Sequence, residues 1–146
     1  EIEEMHIEED TCKSTHRGTK TLLDFNRAGV PLIEIVTKPC MTSGEEAKAY
    51  LEKLRELLFY TDVSDCKIEE GSMRADANVS IRKNISDPFG TKAEIKNIGS
   101  ITNVGIAINS EIKRQIDELE NGGEIYQYLG SNVYELYDVI YKRVKK

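Results

Sequence analysis

The chain has 146 residues, of which 32% are charged and 39% hydrophobic, values typical of one folded domain rather than of a disordered chain. No apolar run approaches the roughly 20 residues that a bilayer span needs, and the acidic first residues are unlike a signal peptide, so we expect neither a membrane segment nor a secretory leader. Twenty basic and 26 acidic residues give a net charge of −6, which argues against a uniformly basic nucleic-acid surface but permits a local basic patch.

Short strands are predicted near the start of the chain, at residues 5–9, 22–26 and 32–36. In the first of them, alternation places His6 and Glu8 on one face and Ile7 and Glu9 on the other. A solvated acidic edge would have the same pattern and would need no function.

Glu34 is unusual because it interrupts the apolar run at residues 31–36, which is typical of a buried strand. A buried charge is unfavourable unless it is paired or bound to a metal. Glu34 is therefore a better functional candidate than an exposed glutamate.

Three cysteines, Cys12, Cys40 and Cys66, show no C-x-x-C spacing. Neither a disulfide framework nor a zinc site is indicated, and free thiols in a reducing compartment are expected.

Three helices are predicted, at residues 43–60, 102–120 and 132–144. Ser43 and Glu46 have the spacing of a capping box at the start of the first. Apolar side chains at helical spacing follow in each, and a Gly-Gly pair at 122–123 ends the second.

Between the first two helices the apolar period changes to two, over residues 73–82 and 91–97, around a loop rich in Pro and Gly. This pattern predicts an antiparallel hairpin, and the predicted class of the whole chain is α+β, a mostly antiparallel sheet with helices packed on one face and a polar active-site face on the other. The polar positions of the hairpin are Arg74, Asp76, Asn78, Ser80, Arg82, Lys92, Glu94 and Lys96.

That mixture of charges is suited to nucleotide chemistry. Carboxylates bind Mg²⁺, which bridges phosphate oxygens, and Lys or Arg supplies countercharge to a transferred phosphoryl group. Cross-strand ion pairs without any function would have the same composition. P-loop, nucleophile-elbow, zincin and dinucleotide-binding motifs are all absent from the sequence.

Beyond these patterns, the sequence resembles the B subunits of the glutamyl-tRNA(Gln)/aspartyl-tRNA(Asn) amidotransferases over about residues 5–125. The resemblance is in register and rests on many motifs, so chance similarity is a poor explanation. They include His-Ile-Glu-Glu-Asp at 6–10, Asp-Phe-Asn-Arg-Ala-Gly-Val-Pro-Leu-Ile-Glu-Ile-Val at 24–36, and the stretches 69–80, 89–91, 94–97 and 111–123.

The resemblance implies a function. Proteins of this family use ATP and Mg²⁺ to phosphorylate the side-chain carboxylate of a mischarged Glu-tRNA or Asp-tRNA. Ammonia released from glutamine by an amidase partner then displaces the phosphate. Implied partners are the amidase (A) and small (C) subunits of a heterotrimeric complex and the aminoacylated tRNA, with no membrane, in the bacterial cytoplasm or alternatively a mitochondrion or plastid.

Carried over position by position, the resemblance implies four catalytic carboxylates that also bind the metal, Glu9, Glu34, Asp76 and Glu94. Contacts to nucleotide or substrate are implied at Asn78, Lys96 and Asn97. Residues 1–125 would then be part of a catalytic cradle domain, and residues 126–146 a diverged helical segment.

Departures from the family pattern leave a second interpretation open. They occur at Cys12, Lys38, Cys40, Ala75 and Gly99, and the first strand and the tRNA-binding tail of the family have no counterpart in this sequence. The chain resembles about a third of the family's full-length proteins. It is therefore either a catalytic fragment, inactive when alone, or a truncated or diverged cradle that only binds a partner subunit or tRNA. An unrelated acidic sheet domain is a third, weaker interpretation.

Overall fold

The computed structural model describes residues 1–126. The predicted helix at 132–144 lies outside the described residues. The chain divides into two compact units, Glu1–Cys40, here called the strand unit, and a second that begins at Met41, here called the core unit.

Four strands form the strand unit, in two antiparallel pairs. Strand β1 (Ile2–Glu9) pairs with β4 (Pro31–Thr37), and β2 (Lys13–Arg17) pairs with β3 (Lys20–Asp24). The β2–β3 loop has two residues and begins at Gly18, whose φ of +57° is the left-handed value that such short hairpin loops require. The three strands predicted in this region are confirmed with shifted ends, whereas β2 was not predicted.

The core unit begins with helix α1 (Gly44–Tyr60), continues through strands β5 (Ala77–Val79) and β6 (Ala93–Ile95), and reaches helix α2 (Ile101–Glu120). Both helices start at a serine cap, because Ser43 Oγ accepts the Glu46 N–H at 3.2 Å and Ser100 Oγ accepts the Asn103 N–H at 3.1 Å. The first two of the three predicted helices are confirmed within two residues at each end.

Strands β5 and β6 form the predicted antiparallel hairpin, but they are shorter than the alternating runs. Beyond Val79 the chain follows local bonds instead of a regular ladder. The Asp87 carboxylate accepts the Asn84 backbone N–H at 3.0 Å, and the Arg82 guanidinium lies 4.4 Å from the centre of the Phe89 ring. The Gly90 N–H, 3.1 Å from the Ile81 carbonyl, continues the pairing past the ends of the strands.

The apolar face of this hairpin packs against both helices. Its alternating side chains are buried with residues from α1 and α2, which explains why the period of two is so regular. The core consists of Ala47, Ala77, Val79, Ile95, Ile98 and Val104.

Helices α1 and α2 approach closely at two glycines. A side chain at Gly44 would collide with the Gly105 carbonyl. Beside this crossing, Asn109 accepts the Gly44 N–H at 2.9 Å and donates to Glu45 at 2.8 Å. These bonds satisfy a helix-start N–H that would otherwise lack a partner.

The α+β class is therefore confirmed, although the described strands form three separate two-stranded sheets rather than one. No helix in residues 1–126 is long and apolar enough to cross a membrane.

Candidate functional site

Five of the seven predicted site residues lie on or beside the hairpin of the core unit. Asn78 and Glu94 are direct cross-strand partners, so their side chains share the face that points away from the helices. Asp76 and Lys96 come one residue outside each strand, where continued alternation keeps them on that face, and Asn97 follows. We call these five residues, Asp76, Asn78, Glu94, Lys96 and Asn97, the hairpin polar face.

Glu94 is the most protected charge on the hairpin polar face. Its side chain is 25% exposed, and the Lys96 ammonium lies 3.4 Å from its carboxylate. A half-exposed ion pair of this kind adds little stability. Lys96 is therefore available to exchange its partner for a phosphate oxygen at little energetic cost.

A cavity of about 220 Å³ opens at the end of the hairpin polar face. Asp76 and Asn97 contribute to its wall, and so does Arg74, which the alternation places on the polar face but which was not among the predicted site residues. Asn97 has a φ of +58°, a left-handed value that Asn tolerates better than most residues and that ends the strand here. The remaining lining residues are Ile68, Met73, Ala75, Ile98 and Gly99.

The loop that leads into β5 fixes the approach to this cavity. The Gly71 N–H donates to the Ile68 carbonyl at 3.0 Å, and the Ser72 N–H donates to the Lys67 carbonyl at 2.9 Å. Ser72 also lowers the pKa of Asp65, because its hydroxyl donates a hydrogen bond that favours the ionised carboxylate. These bonds order the chain immediately before Arg74.

The other two predicted carboxylates, Glu9 and Glu34, lie in the strand unit. Glu34 is the cross-strand partner of His6, and Glu9 is the partner of Pro31. Because side chains alternate along each strand, Glu9 and Glu34 point to opposite faces of the β1–β4 pair. Each face of the β1–β4 pair therefore carries only one of these two carboxylates.

Glu34 is exposed, so its expected burial is wrong. The apolar run around it is typical of a buried strand, but β4 hydrogen-bonds only to β1 in a two-stranded sheet. Both faces of that sheet reach solvent, and the carboxylate keeps its hydration. The argument for Glu34 from the cost of burial is lost, and its candidacy now rests on the resemblance alone.

Within residues 1–126, no three His, Cys, Asp or Glu side chains are close enough together to form a metal cluster. Mg²⁺ at nucleotide sites commonly takes only one or two carboxylates and completes its shell with phosphates and water. Asp76 and Glu94, on one face and beside two cationic side chains, fit that smaller requirement.

Known protein families provide an independent comparison for this arrangement of residues. Residues 1–138 match the family model described as "GatB/GatE catalytic domain". The match continues beyond residue 125, where the motif resemblance ends.

The chain is also similar to proteins named as the B subunit of aspartyl/glutamyl-tRNA(Asn/Gln) amidotransferase. It is 56% identical over 126 residues to that of Staphylococcus saprophyticus and 55% identical over 126 residues to that of Staphylococcus carnosus. Each alignment covers 86% of this chain and 26% of the relative, so the chain spans about a quarter of the length of these curated relatives.

Proposed function

The chain belongs to the family of GatB/GatE catalytic domains, and on that premise we propose that it supplies part of the kinase site of a tRNA-dependent amidotransferase. In this proposal the site phosphorylates the side-chain carboxylate of Glu-tRNA(Gln) or Asp-tRNA(Asn) with ATP. The hairpin polar face is the observation that supports the proposal most directly. It places two carboxylates, an amide and a lysine on one side of a hairpin whose other side is packed in a core, and Asn97 follows next along the chain.

The chemistry converts a poor leaving group into a good one. A carboxylate oxygen of the aminoacyl side chain forms a bond to the γ-phosphorus of ATP, the bond from that phosphorus to the β–γ bridging oxygen breaks, and ADP leaves. Ammonia then forms a C–N bond at the acyl carbon and gives up one proton. Phosphate departs with the C–O bond electrons and takes up that proton. A bound Mg²⁺ would neutralise developing phosphate charge.

Each residue of the hairpin polar face has a role in this proposal. Asp76 and Glu94 hold the metal, and Asn78 and Asn97 donate hydrogen bonds to nucleotide or substrate oxygens. Lys96 supplies positive charge to the transferred phosphoryl group. We add Arg74 to that role because it lines the same cavity as Asp76.

Glu9 and Glu34 remain proposed metal ligands, on the basis of the family resemblance. Since they lie on opposite faces of the β1–β4 pair, a rigid pair would direct only one of them to a given ion. Glu9→Gln and Glu34→Gln should therefore be compared separately, and we expect the two losses of activity to differ.

The test is a chimera in which this chain replaces the matching residues of the Staphylococcus saprophyticus relative. The chimera is assembled with its proposed partners, the amidase and the small third component of that organism's complex, and assayed for ATP-dependent conversion of Glu-tRNA(Gln). Asp76→Asn and Glu94→Gln should each lower kcat by about 100-fold or more, the usual loss when a charge-stabilising group is removed. Glu56→Gln, an exposed carboxylate on α1 paired with Lys53, is the matched control and should leave kcat unchanged.

Unchanged turnover in Asp76→Asn or Glu94→Gln would remove that residue from the site. The isolated 146-residue chain should show no amidation, since it spans only part of its relatives. Conversion of Glu-tRNA(Gln) by the isolated chain would overturn that expectation.

A second candidate function is a cradle that binds a partner subunit or tRNA without turnover. The departures from the family pattern at Cys12, Lys38 and Cys40 favour it. A chimera that assembles and binds tRNA but neither forms acyl phosphate nor hydrolyses ATP would support this alternative.

A further inference from the structure

The two most deeply buried large side chains in residues 1–126 are polar. Glu111 and Gln115, one turn apart on α2, are each only 1% exposed. A carboxylate and an amide at such depth need specific partners, because a buried polar group without a hydrogen bond is strongly destabilising.

Hydrogen bonds connect these two side chains to Arg114 on one side and to the backbone of β5 on the other. Arg114 donates to Glu111 through Nε at 2.8 Å and through Nη2 at 2.6 Å. Gln115 Nε2 donates to Glu111 Oε1 at 2.9 Å and to the backbone carbonyl of Val79 at 3.0 Å. The path therefore runs from a partly exposed guanidinium, through a buried carboxylate and amide, to the backbone of β5.

The ion pair between Arg114 and Glu111 lies at the more exposed end of this hydrogen-bonded path. The hydrogen bonds from Arg114 to Glu111 raise the pKa of the guanidinium, even though burial opposes this. Arg114 stays charged, so the Glu111 side chain keeps a cationic partner at depth. Its Oε1 then accepts from Gln115 as well, and this fixes which end of the Gln115 amide faces inward.

The amide nitrogen of Gln115 makes both of the inner bonds. Val79 O and Glu111 Oε1 are both acceptors, so the group between them must donate twice, which the Gln NH₂ does and a carboxylate cannot. Among the described residues no donor reaches Gln115 Oε1. The amide is therefore held by its nitrogen alone, and its placement depends on the carbonyl of Val79 and the carboxylate of Glu111.

Stability alone is a weak reason for such a network, because an apolar packing of the same volume is often as stable as a buried ion pair. Its inner end is the informative feature. Val79 lies between Asn78 and Ser80, and Asn78 is the cross-strand partner of Glu94. Fixing the Val79 carbonyl fixes the peptide plane next to the hairpin polar face.

We infer that Glu111 and Gln115 are positioning residues for the hairpin polar face, holding β5 from behind so that Asn78 and Glu94 keep a fixed spacing. The inference deepens the proposed function and rests on it for its effect on catalysis. Its structural part, the bond to Val79, can be tested without any activity.

The first experiment uses the full 146-residue chain labelled with ¹⁵N. Gln115→Met keeps the side-chain length and removes both donated bonds. Because the Ser80 nitrogen is bonded to the Val79 carbonyl carbon, loss of that hydrogen bond should shift the Ser80 amide resonance. The matched control is Val104→Ala, which truncates a core side chain that is 3% exposed. It should lower thermal stability, and the Ser80 amide resonance should shift no more than the resonances of other core amides.

The second experiment uses the chimera with the same variants. A displacement near 1 Å at a reacting centre can lower a rate by about 100-fold. We expect Gln115→Met to lower kcat at least 10-fold, with the KM for aminoacyl-tRNA changed less than about twofold. Val104→Ala, assayed at the same interval below its own Tm, should keep kcat within about twofold. A purely structural role would lower both variants alike.

The outcomes separate the two proposals. An unshifted Ser80 amide in Gln115→Met would overturn the positioning role, and so would wild-type kcat in that variant while Asp76→Asn is inactive. If Asp76→Asn and Glu94→Gln are fully active but Ser80 still shifts, the proposed function fails at this face and the bond to Val79 stands. Should Gln115→Met fail to fold, Glu111→Gln removes the charge that orients Gln115, and the same two readouts apply.

Discussion

The strand unit and the core unit hold their proposed site residues by different means. No residue between 1 and 40 is buried, and the strands of that unit are joined mainly by backbone hydrogen bonds. In the core unit, the β5–β6 hairpin has one face packed on two helices. Asp76 and Glu94 are thus carried by a packed support, whereas Glu9 and Glu34 depend on the register of one strand pair.

The difference shows where apolar pattern and burial diverge. The β1–β4 pair directs Met5, Ile7, Ile33 and Ile35 to one face, yet Ile7 is 88% exposed. The hairpin of the core unit has the same alternation, and its apolar residues are covered. Alternation identifies a face suited to burial, and the helices available in the core unit determine that burial occurs there.

The largest expected effect contrasts one isoleucine from each unit. Ile95→Ala should lower the free energy of unfolding by about 2–5 kcal/mol, because Ile95 is 3% exposed and the truncation leaves a cavity. Ile7→Ala removes the same atoms from an exposed site and should change the free energy of unfolding by less than about 0.5 kcal/mol. Urea unfolding followed by far-UV circular dichroism measures both. Equal effects would mean that the two units are equally packed.

The next effect concerns the helix crossing that supports the core unit. Gly44→Ala should lower the free energy of unfolding by about 1–3 kcal/mol, the range for overpacking, because its new methyl group meets the backbone carbonyl of Gly105. Gly99→Ala is the control, since nothing lies within 4 Å of a methyl group there. Thermal unfolding of the two variants should show a clear loss only for Gly44→Ala, and similar Tm values would contradict the crossing geometry.

Much of the core unit could be predicted from the sequence because its helices and hairpin follow from local sequence patterns. Ser43 and the period of 3.6 identified α1, and alternation identified the hairpin and placed Asp76, Asn78, Glu94 and Lys96 together on its polar face. The carboxylates of the strand unit were harder. Glu34 was expected to be buried because its neighbours in the sequence are apolar. Burial depends on which other elements pack against a strand, and the local sequence does not determine that.

The buried network was missed for a related reason. On α2 the apolar stripe predicted by spacing includes Ile108 and Ile112. Glu111 and Gln115 fall on that same side of the helix, but they were not predicted to be buried because their side chains are polar. Their burial follows from contact with Val79, 36 residues away for Gln115. A signal was present in the Glu111–Arg114–Gln115 spacing, since i,i+3 and i,i+4 pairs can satisfy one another on a helix.

A smaller effect tests how pH acts on the start of α1. The pKa of Glu46 is lowered, first by the Thr42 backbone N–H at 2.6 Å and then by the Thr42 hydroxyl at 3.0 Å, since both bonds favour the carboxylate. A lowered folded-state pKa contributes stability that is present above the unfolded value near 4.5 and is lost as pH falls through the folded value.

Glu46→Gln should therefore flatten the pH dependence of the unfolding midpoint below about pH 4.5 and change it little at pH 7 beyond the loss of one hydrogen-bond acceptor. Glu52→Gln, an exposed carboxylate on the same helix paired with Lys48 at 3.7 Å, is the control. Urea midpoints measured between about pH 3 and pH 7 give the comparison. A Glu46→Gln profile that is parallel to wild type would show that the Thr42 bonds do not favour the ionised form in solution.

The smallest effect is expected in the strand unit, at the ion pair between Arg27 and Asp10, 3.0 Å apart. Asp10 also joins the chain through its backbone, donating to the Val30 carbonyl at 2.8 Å and accepting the Gly29 N–H at 2.9 Å. Because these backbone bonds persist when the side chain changes, and because the Arg27 side chain is 45% exposed, Asp10→Asn should alter the free energy of unfolding by about 0–1 kcal/mol, the range for surface pairs. Hydrogen exchange of the β1 and β4 amides measures the change in stability of this strand pair. A loss of protection across the whole strand unit would show instead that this single pair, rather than the backbone ladder, sets the register that carries Glu9 and Glu34.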